Sequence, residues 1–95
     1  MKNFTIQVRY ITKPGCRESF IREITENSIA EKVLAEKGAI QYEYFVSVKE
    51  SNLVLLLEEW ESREAQQAHM KHPNMETIMA IKDKYVADTE LKIIE

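Results

Sequence analysis

The chain has a single cysteine, Cys16, so it cannot close a disulfide on itself and its fold must rest on packing. A reducing cytosol suits such cysteine usage, and the expected location is cytoplasmic. Glycine and proline number two each, which argues against a linker, a collagen-like repeat or a disordered tail. No stretch approaches the ~20 apolar residues of a membrane span, and the opening Met1-Lys2-Asn3-Phe4-Thr5 has no apolar segment of signal-peptide length. Basic charge is not in excess either. Thirteen Lys and Arg against sixteen Asp and Glu leave −3, with the basic residues interleaved among the acidic ones, so nucleic acid is not an expected partner. Gly15 and Gly38 stand alone, which rules out a dinucleotide fingerprint or a Walker loop, and no cofactor is expected.

What remains is a chain of 95 residues, 44% hydrophobic and 31% charged, the profile of one soluble globular domain over 1–95. Residues 4–11 alternate, with Phe4, Ile6, Val8 and Tyr10 on one face, as in a half-buried strand. Pro14-Gly15 breaks the chain and introduces a helix from about Cys16 to Lys37. Its stripe Phe20, Ile21 and Ile24 is out of phase with Ile29 and Val33, so a bend or loosened turn is expected at Asn27-Ser28, and Gly38 is the expected C-terminal cap. Ile40, Tyr42, Tyr44, Val46 and Val48 alternate as a second strand; Glu50-Ser51-Asn52 turns, and Leu53 to Trp60 returns. A three-residue loop sets Lys49 against Leu53, Tyr44 against Glu58 and Tyr42 against Trp60. Ser62 caps a short helix through His72, and Pro73 ends it. Asn74 caps another, with Met75, Ile78, Met79, the stem of Lys82 and Tyr85 as its apolar stripe. Val86 to Ile94 forms a last strand. The order predicts an α+β fold, a ferredoxin-like four-stranded antiparallel sheet with helices on one face.

Leu53 to Leu57 is apolar on both faces of its strand, while helices cover only one. A second copy of the same sheet is the simplest cover for the other, so a homodimer through the sheet face is expected.

The densest cluster of unusual residues runs from Glu58 to Met75 and holds the one Trp and both His. Ala65, Ala68, His69 and His72 share a helical face, and the small alanines allow close approach to the Trp60 end of the strand. His69 is therefore a candidate general base; the same pattern fits a buried histidine satisfied by a carboxylate such as Glu58. His69-x-x-His72 lacks a third His or a second Cys, so no metal is expected, and His72 caps its helix or lines a solvent-facing rim. Tyr42, Tyr44 and Trp60 fit a core or the aromatic wall of a small-molecule pocket, and Met75 and Met79 fit either.

The run Leu57-Glu58-Glu59-Trp60-Glu61-Ser62, then Ala68-His69 and His72-Pro73-Asn74-Met75, is similar to the antibiotic biosynthesis monooxygenase family and, within it, to quinol monooxygenase-like proteins. Thr12-Lys13-Pro14-Gly15 and Glu36-Lys37-Gly38-Ala39-Ile40-Gln41-Tyr42 match the family's strand-to-helix turn and its Glu-x-Gly…Tyr segment. The resemblance implies a dimeric α+β barrel with a pocket between sheet and helices. It also implies a cofactor-independent monooxygenase that oxidises a small hydroxyaromatic or quinol with molecular oxygen. His69 would be the base, oriented by Glu58, with Trp60, Tyr42, Tyr44, His72, Met75 and Met79 around the substrate. The haem-degrading branch is disfavoured, because Gln7 and Met79 stand where its Asn and axial His belong. An isomerase, or a small-molecule-binding protein without turnover, is the alternative on the same fold.

Overall fold

A computed structural model describes residues 3–94; Met1-Lys2, part of the opening read above for an apolar segment, lie outside them. The alternating first segment forms β1 (Phe4–Thr12), whose Ile6, Val8, Tyr10 and Thr12 are buried. The long helix expected over residues 16–37 is two helices, α1 (Arg17–Glu26) and α2 (Ile29–Leu34). The break is complete because Ser28 adopts the left-handed conformation, φ 52°. Asn27 also spends its side-chain amide on the carbonyl of Glu23, 2.8 Å away. The phase slip in the apolar pattern is the sequence signature of that turn.

Gly38 is not a helix cap, since α2 stops four residues before it. Its φ of 85° and its position explain the glycine instead: a Cβ there would lie 2.6 Å from that of Ala65. Three further elements follow: β2 (Ala39–Val46), β3 (Leu53–Trp60) and α3 (Arg63–Met70). Ser62 caps α3 as expected, accepting from the amide of Ala65 at 3.1 Å. The helix ends at Met70, before the expected His72. α4 (Asn74–Tyr85) buries Ile78 and Ile81, with Met79 turned outward, and β4 (Val86–Ile94) completes the order.

The sheet runs β2-β3-β1-β4, with every neighbouring pair antiparallel. The fold is ferredoxin-like α+β, with the helices packed on one face. The β2–β3 register differs by two residues from the expected one: Tyr42 lies opposite Glu58 and Tyr44 opposite Leu56. The turn is longer because Ser47 Oγ accepts from the amides of Lys49 and Glu50, at 3.1 and 2.9 Å. Arg17 fastens it from α1 by donating to the carbonyls of Ser47 and Glu50, at 2.8 and 3.0 Å. A shift of two preserves which face each side chain occupies, so both tyrosines still point toward the helices.

Candidate functional site

At the α3 end of the covered face, β3 presents Glu58 and Trp60 inward, and α3 lays His69 over them. The imidazole and indole rings are 4.8 Å apart at 31°, and the Tyr42 ring meets the imidazole edge-on at 5.8 Å. Trp60 is fully buried and His69 is 3% exposed. Gly38 and Ala65 permit this approach, since the start of α3 rests against the backbone that enters β2.

The carboxylate on His69 is Glu36, not Glu58. Glu36 Oε1 and Oε2 lie 2.9 and 3.1 Å from His69 Nδ1. Glu58 is engaged elsewhere, accepting from Trp60 Nε1 at 3.0 Å. The expected pairing of His69 with Glu58 is corrected for a geometric reason. Glu58 is fixed on β3 beside Trp60, whereas the segment after α2 delivers Glu36 to the Nδ1 side of the imidazole. Asn74 does not cap α4 as expected; its side-chain amide donates to Glu36 Oε2 at 2.9 Å and to the carbonyl of Lys32 at 3.3 Å. His72, half-exposed, places Nδ1 3.7 Å from Glu36 Oε2 and accepts from the Asn74 amide at 3.0 Å.

A carboxylate can only accept, so His69 Nδ1 carries a proton and, in the neutral ring, Nε2 holds the lone pair. This is the arrangement that orients an imidazole as a base. Its surroundings favour that role over a tyrosinate. Burial, and the neighbouring Tyr44, Tyr10 and Glu58, hold the Tyr42 hydroxyl far above the usual tyrosine range. Tyr44 is raised by burial and Glu58 despite its contact with Tyr42, and Tyr10 is raised by burial, Tyr44 and Glu58. All three stay neutral hydroxyls near pH 7. Burial also raises Glu58, with the charge of Glu36 adding to it and the hydrogen bond from Trp60 and the charge of His69 opposing it. Among the described residues, no group of three or more His, Cys, Asp or Glu is placed to hold a metal ion.

A cleft of about 310 Å³ opens between α1, α2 and the edge strand β2, over Ile21, Ile24, Ala30, Tyr42, Tyr44 and Val46. It adjoins a groove of about 600 Å³ along α1 that shares Ile21, Thr25 and Val46. The structure therefore divides the residues singled out from sequence. Tyr42 and Tyr44 line the cleft, Trp60 and His69 lie buried beside Tyr42, and His72 sits at the surface end of Glu36. Met75 is half-buried against the core and Met79 is 44% exposed; neither borders this cleft. Tyr42 lines the cleft and also meets the His69 ring edge-on. Sequence spacing missed Glu36 as a partner of His69 because 33 residues separate them. Its signal was the Glu36-x-Gly38 segment two residues before the close-approach glycine.

The antibiotic biosynthesis monooxygenase family model matches residues 3–81. A Bacillus subtilis (strain 168) protein named "Putative monooxygenase YcnE" is 29% identical over 94% of this chain and 90% of its own length. The fold superposes on a Pseudomonas aeruginosa structure with a TM-score of 0.87 at 18% identity, covering 99% of this chain and 93% of that one. A Nitrosomonas europaea structure, described as a putative antibiotic biosynthesis monooxygenase, gives 0.87 at 17% identity, over 97% and 88%. At these identities the structural likeness shows the fold alone. Among the described residues no helix is long and apolar enough to cross a membrane.

Proposed function

The chain belongs to the antibiotic biosynthesis monooxygenase family, and from that premise we propose that it oxidises a small hydroxyaromatic or quinol with molecular oxygen, His69 acting as the general base. The observation that carries this reading is the buried imidazole held by Glu36 at 2.9 Å and tilted over the Trp60 ring, next to the Tyr42 that lines the cleft. Ground-state oxygen is a triplet and reacts with a closed-shell molecule by electron transfer first. Deprotonation of the substrate hydroxyl by His69 Nε2 makes the ring electron-rich enough to supply that electron. The resulting radical pair joins through a ring-carbon to oxygen bond. Loss of the ring hydrogen and cleavage of the O–O bond then release one water and leave a quinone, with the base returning its proton. The protein contributes the base, an apolar slot of a size that suits a small ligand, and neutral tyrosine hydroxyls that do not compete for the proton.

The test is oxygen uptake by the purified protein against reduced quinones and hydroxyaromatics, with each substrate's autoxidation subtracted. Saturable uptake that falls tenfold or more in His69→Ala, about 1.4 kcal/mol of transition-state stabilisation, is expected. No uptake above the blank, or full turnover in His69→Ala, sinks the reading. A second reading, a binding protein without turnover, has one observation in its favour: the cleft's lining includes Tyr42 but not His69. It predicts saturable binding of the same compounds with no oxygen consumed. Either way we propose a homodimer joined through the open sheet face, where Leu55, Leu57 and Phe45 lie uncovered by helices.

A further inference from the structure

Glu36 lies between two imidazoles. Its side chain is 5% exposed, that of His69 2% and that of His72 42%, so the three run from the interior to the surface. The inner contact is a hydrogen bond of 2.9 Å, and the outer one is a separation of 3.7 Å. Neutral His72 uses its Nδ1 lone pair to accept from the Asn74 amide at 3.0 Å, and so offers Glu36 nothing. Once protonated, the same nitrogen becomes a donor. It faces the Asn74 N–H unfavourably and Glu36 Oε2 favourably.

We propose that His72 is a pH-dependent positioning residue for the base His69, acting through the carboxylate they share. With His72 neutral, Glu36 belongs to His69 and supports the charge that His69 takes on as a base. With His72 protonated, one buried carboxylate must balance two imidazolium rings, and His69 binds its proton less tightly. The other groups facing the pair leave this coupling in place. Glu58 on β3 and the neutral hydroxyl of Tyr42 on β2 face His69, and the Asn74 side chain holds Glu36 Oε2 from α4. The inference deepens the base reading of His69, but its test needs no substrate, so its failure and that of the oxygenase reading are separable.

The experiment is an NMR titration of the two histidine rings in the intact protein. His72→Asn removes the titrating group while keeping an oxygen to accept from the Asn74 amide; His72→Lys replaces it with a permanent charge. The expected result is opposite displacement of the His69 midpoint. It rises in His72→Asn and falls in His72→Lys, each by roughly half a pH unit or more, about threefold in proton affinity. A role confined to joining α3 and α4 would shift backbone signals near Asn74 and leave the His69 midpoint in place. An unmoved midpoint, or displacement in the same direction in both variants, overturns the proposal. Should His72→Asn not fold, His72→Gln against His72→Lys is read in the same way.

Discussion

The two faces of β3 invert the usual division of a half-covered strand. Under the helices, Val54, Leu56 and Trp60 are fully buried, yet a carboxylate, Glu58, is buried with them at 7% exposure. On the open face the same strand turns out Leu55 and Leu57, beside Phe45, which is 41% exposed. Ile94 adds to that apolar surface at 39% exposure, and exposed ion pairs such as Arg9–Glu90 at 3.2 Å border it. A strand built only to fold a monomer would do the reverse, keeping carboxylates in water and leucines inside. The covered face therefore bears the cost of polar groups where chemistry is proposed, and each described buried polar side-chain atom there has a partner or touches solvent. The open face leaves apolar area that a second copy would cover.

The largest expected effect lies on the covered face. Trp60→Ala removes a fully buried indole and the ring beneath His69, and should cost roughly 3–5 kcal/mol in urea denaturation. A loss below about 1 kcal/mol would mean that the indole is not held as described. The open face supplies the next test. Wild-type protein should sediment as a dimer with a concentration-dependent Tm. Leu55→Arg should weaken association at least a hundredfold, about 2.7 kcal/mol, and sediment as a monomer. A wild-type monomer at all concentrations would erase the contrast between the faces. A smaller change tests the close approach that brings α3 over the sheet. Gly38→Ala puts a Cβ 2.6 Å from Ala65 at a left-handed φ, and a loss of about 1–3 kcal/mol with reduced His69–Trp60 ring-current shifts is expected. Unchanged shifts and stability would show that α3 does not approach Gly38 as closely as described.

Much of this architecture is readable from alternation alone. The inward set of β1 follows from period two, and the Ser62 cap from its place before α3. Long-range contacts decided the rest. The two-residue register shift of β2 goes with a longer β2–β3 turn, closed locally by Ser47 Oγ and fastened from α1 by Arg17, and the Arg17 contact is not announced by the turn's own composition. The break at Ser28 showed as a slip of phase, but its left-handed turn did not. In the site, His69 and Trp60 could be placed together from strand end and helix face. The carboxylate could not, because Glu58 and Glu36 are equally acidic in sequence and only the tertiary path after α2 separates them. Asn74 is the same case: its position suits a cap, and the nearby buried carboxylate takes its side chain instead.

The subtlest test compares a carboxylate from each face. Burial is the largest influence on Glu58 and raises its affinity for a proton above the usual value near 4.5. Below that value both folded and unfolded chains hold the proton, and the contribution to stability is fully present. As pH rises through the elevated native value, the unfolded chain ionises freely while the native one resists, so stability is lost. Glu58→Gln cannot ionise and keeps an oxygen for Trp60 Nε1, 3.0 Å away. Urea denaturation from pH 4 to 8, bounds set by the ordinary titration range of a carboxylate and a histidine, should show a falling component in wild type that the Gln variant lacks. At neutral pH that variant should be at least as stable as wild type, whereas Glu58→Ala, which strands the indole N–H, should lose about 1–3 kcal/mol. Glu90, on the open face, is exposed and paired with Arg9, so Glu90→Gln should change stability by less than about 1 kcal/mol, and less still in high salt. Parallel pH profiles for wild type and Glu58→Gln would mean that the covered face does not penalise this charge, and the two faces would then differ in shape alone.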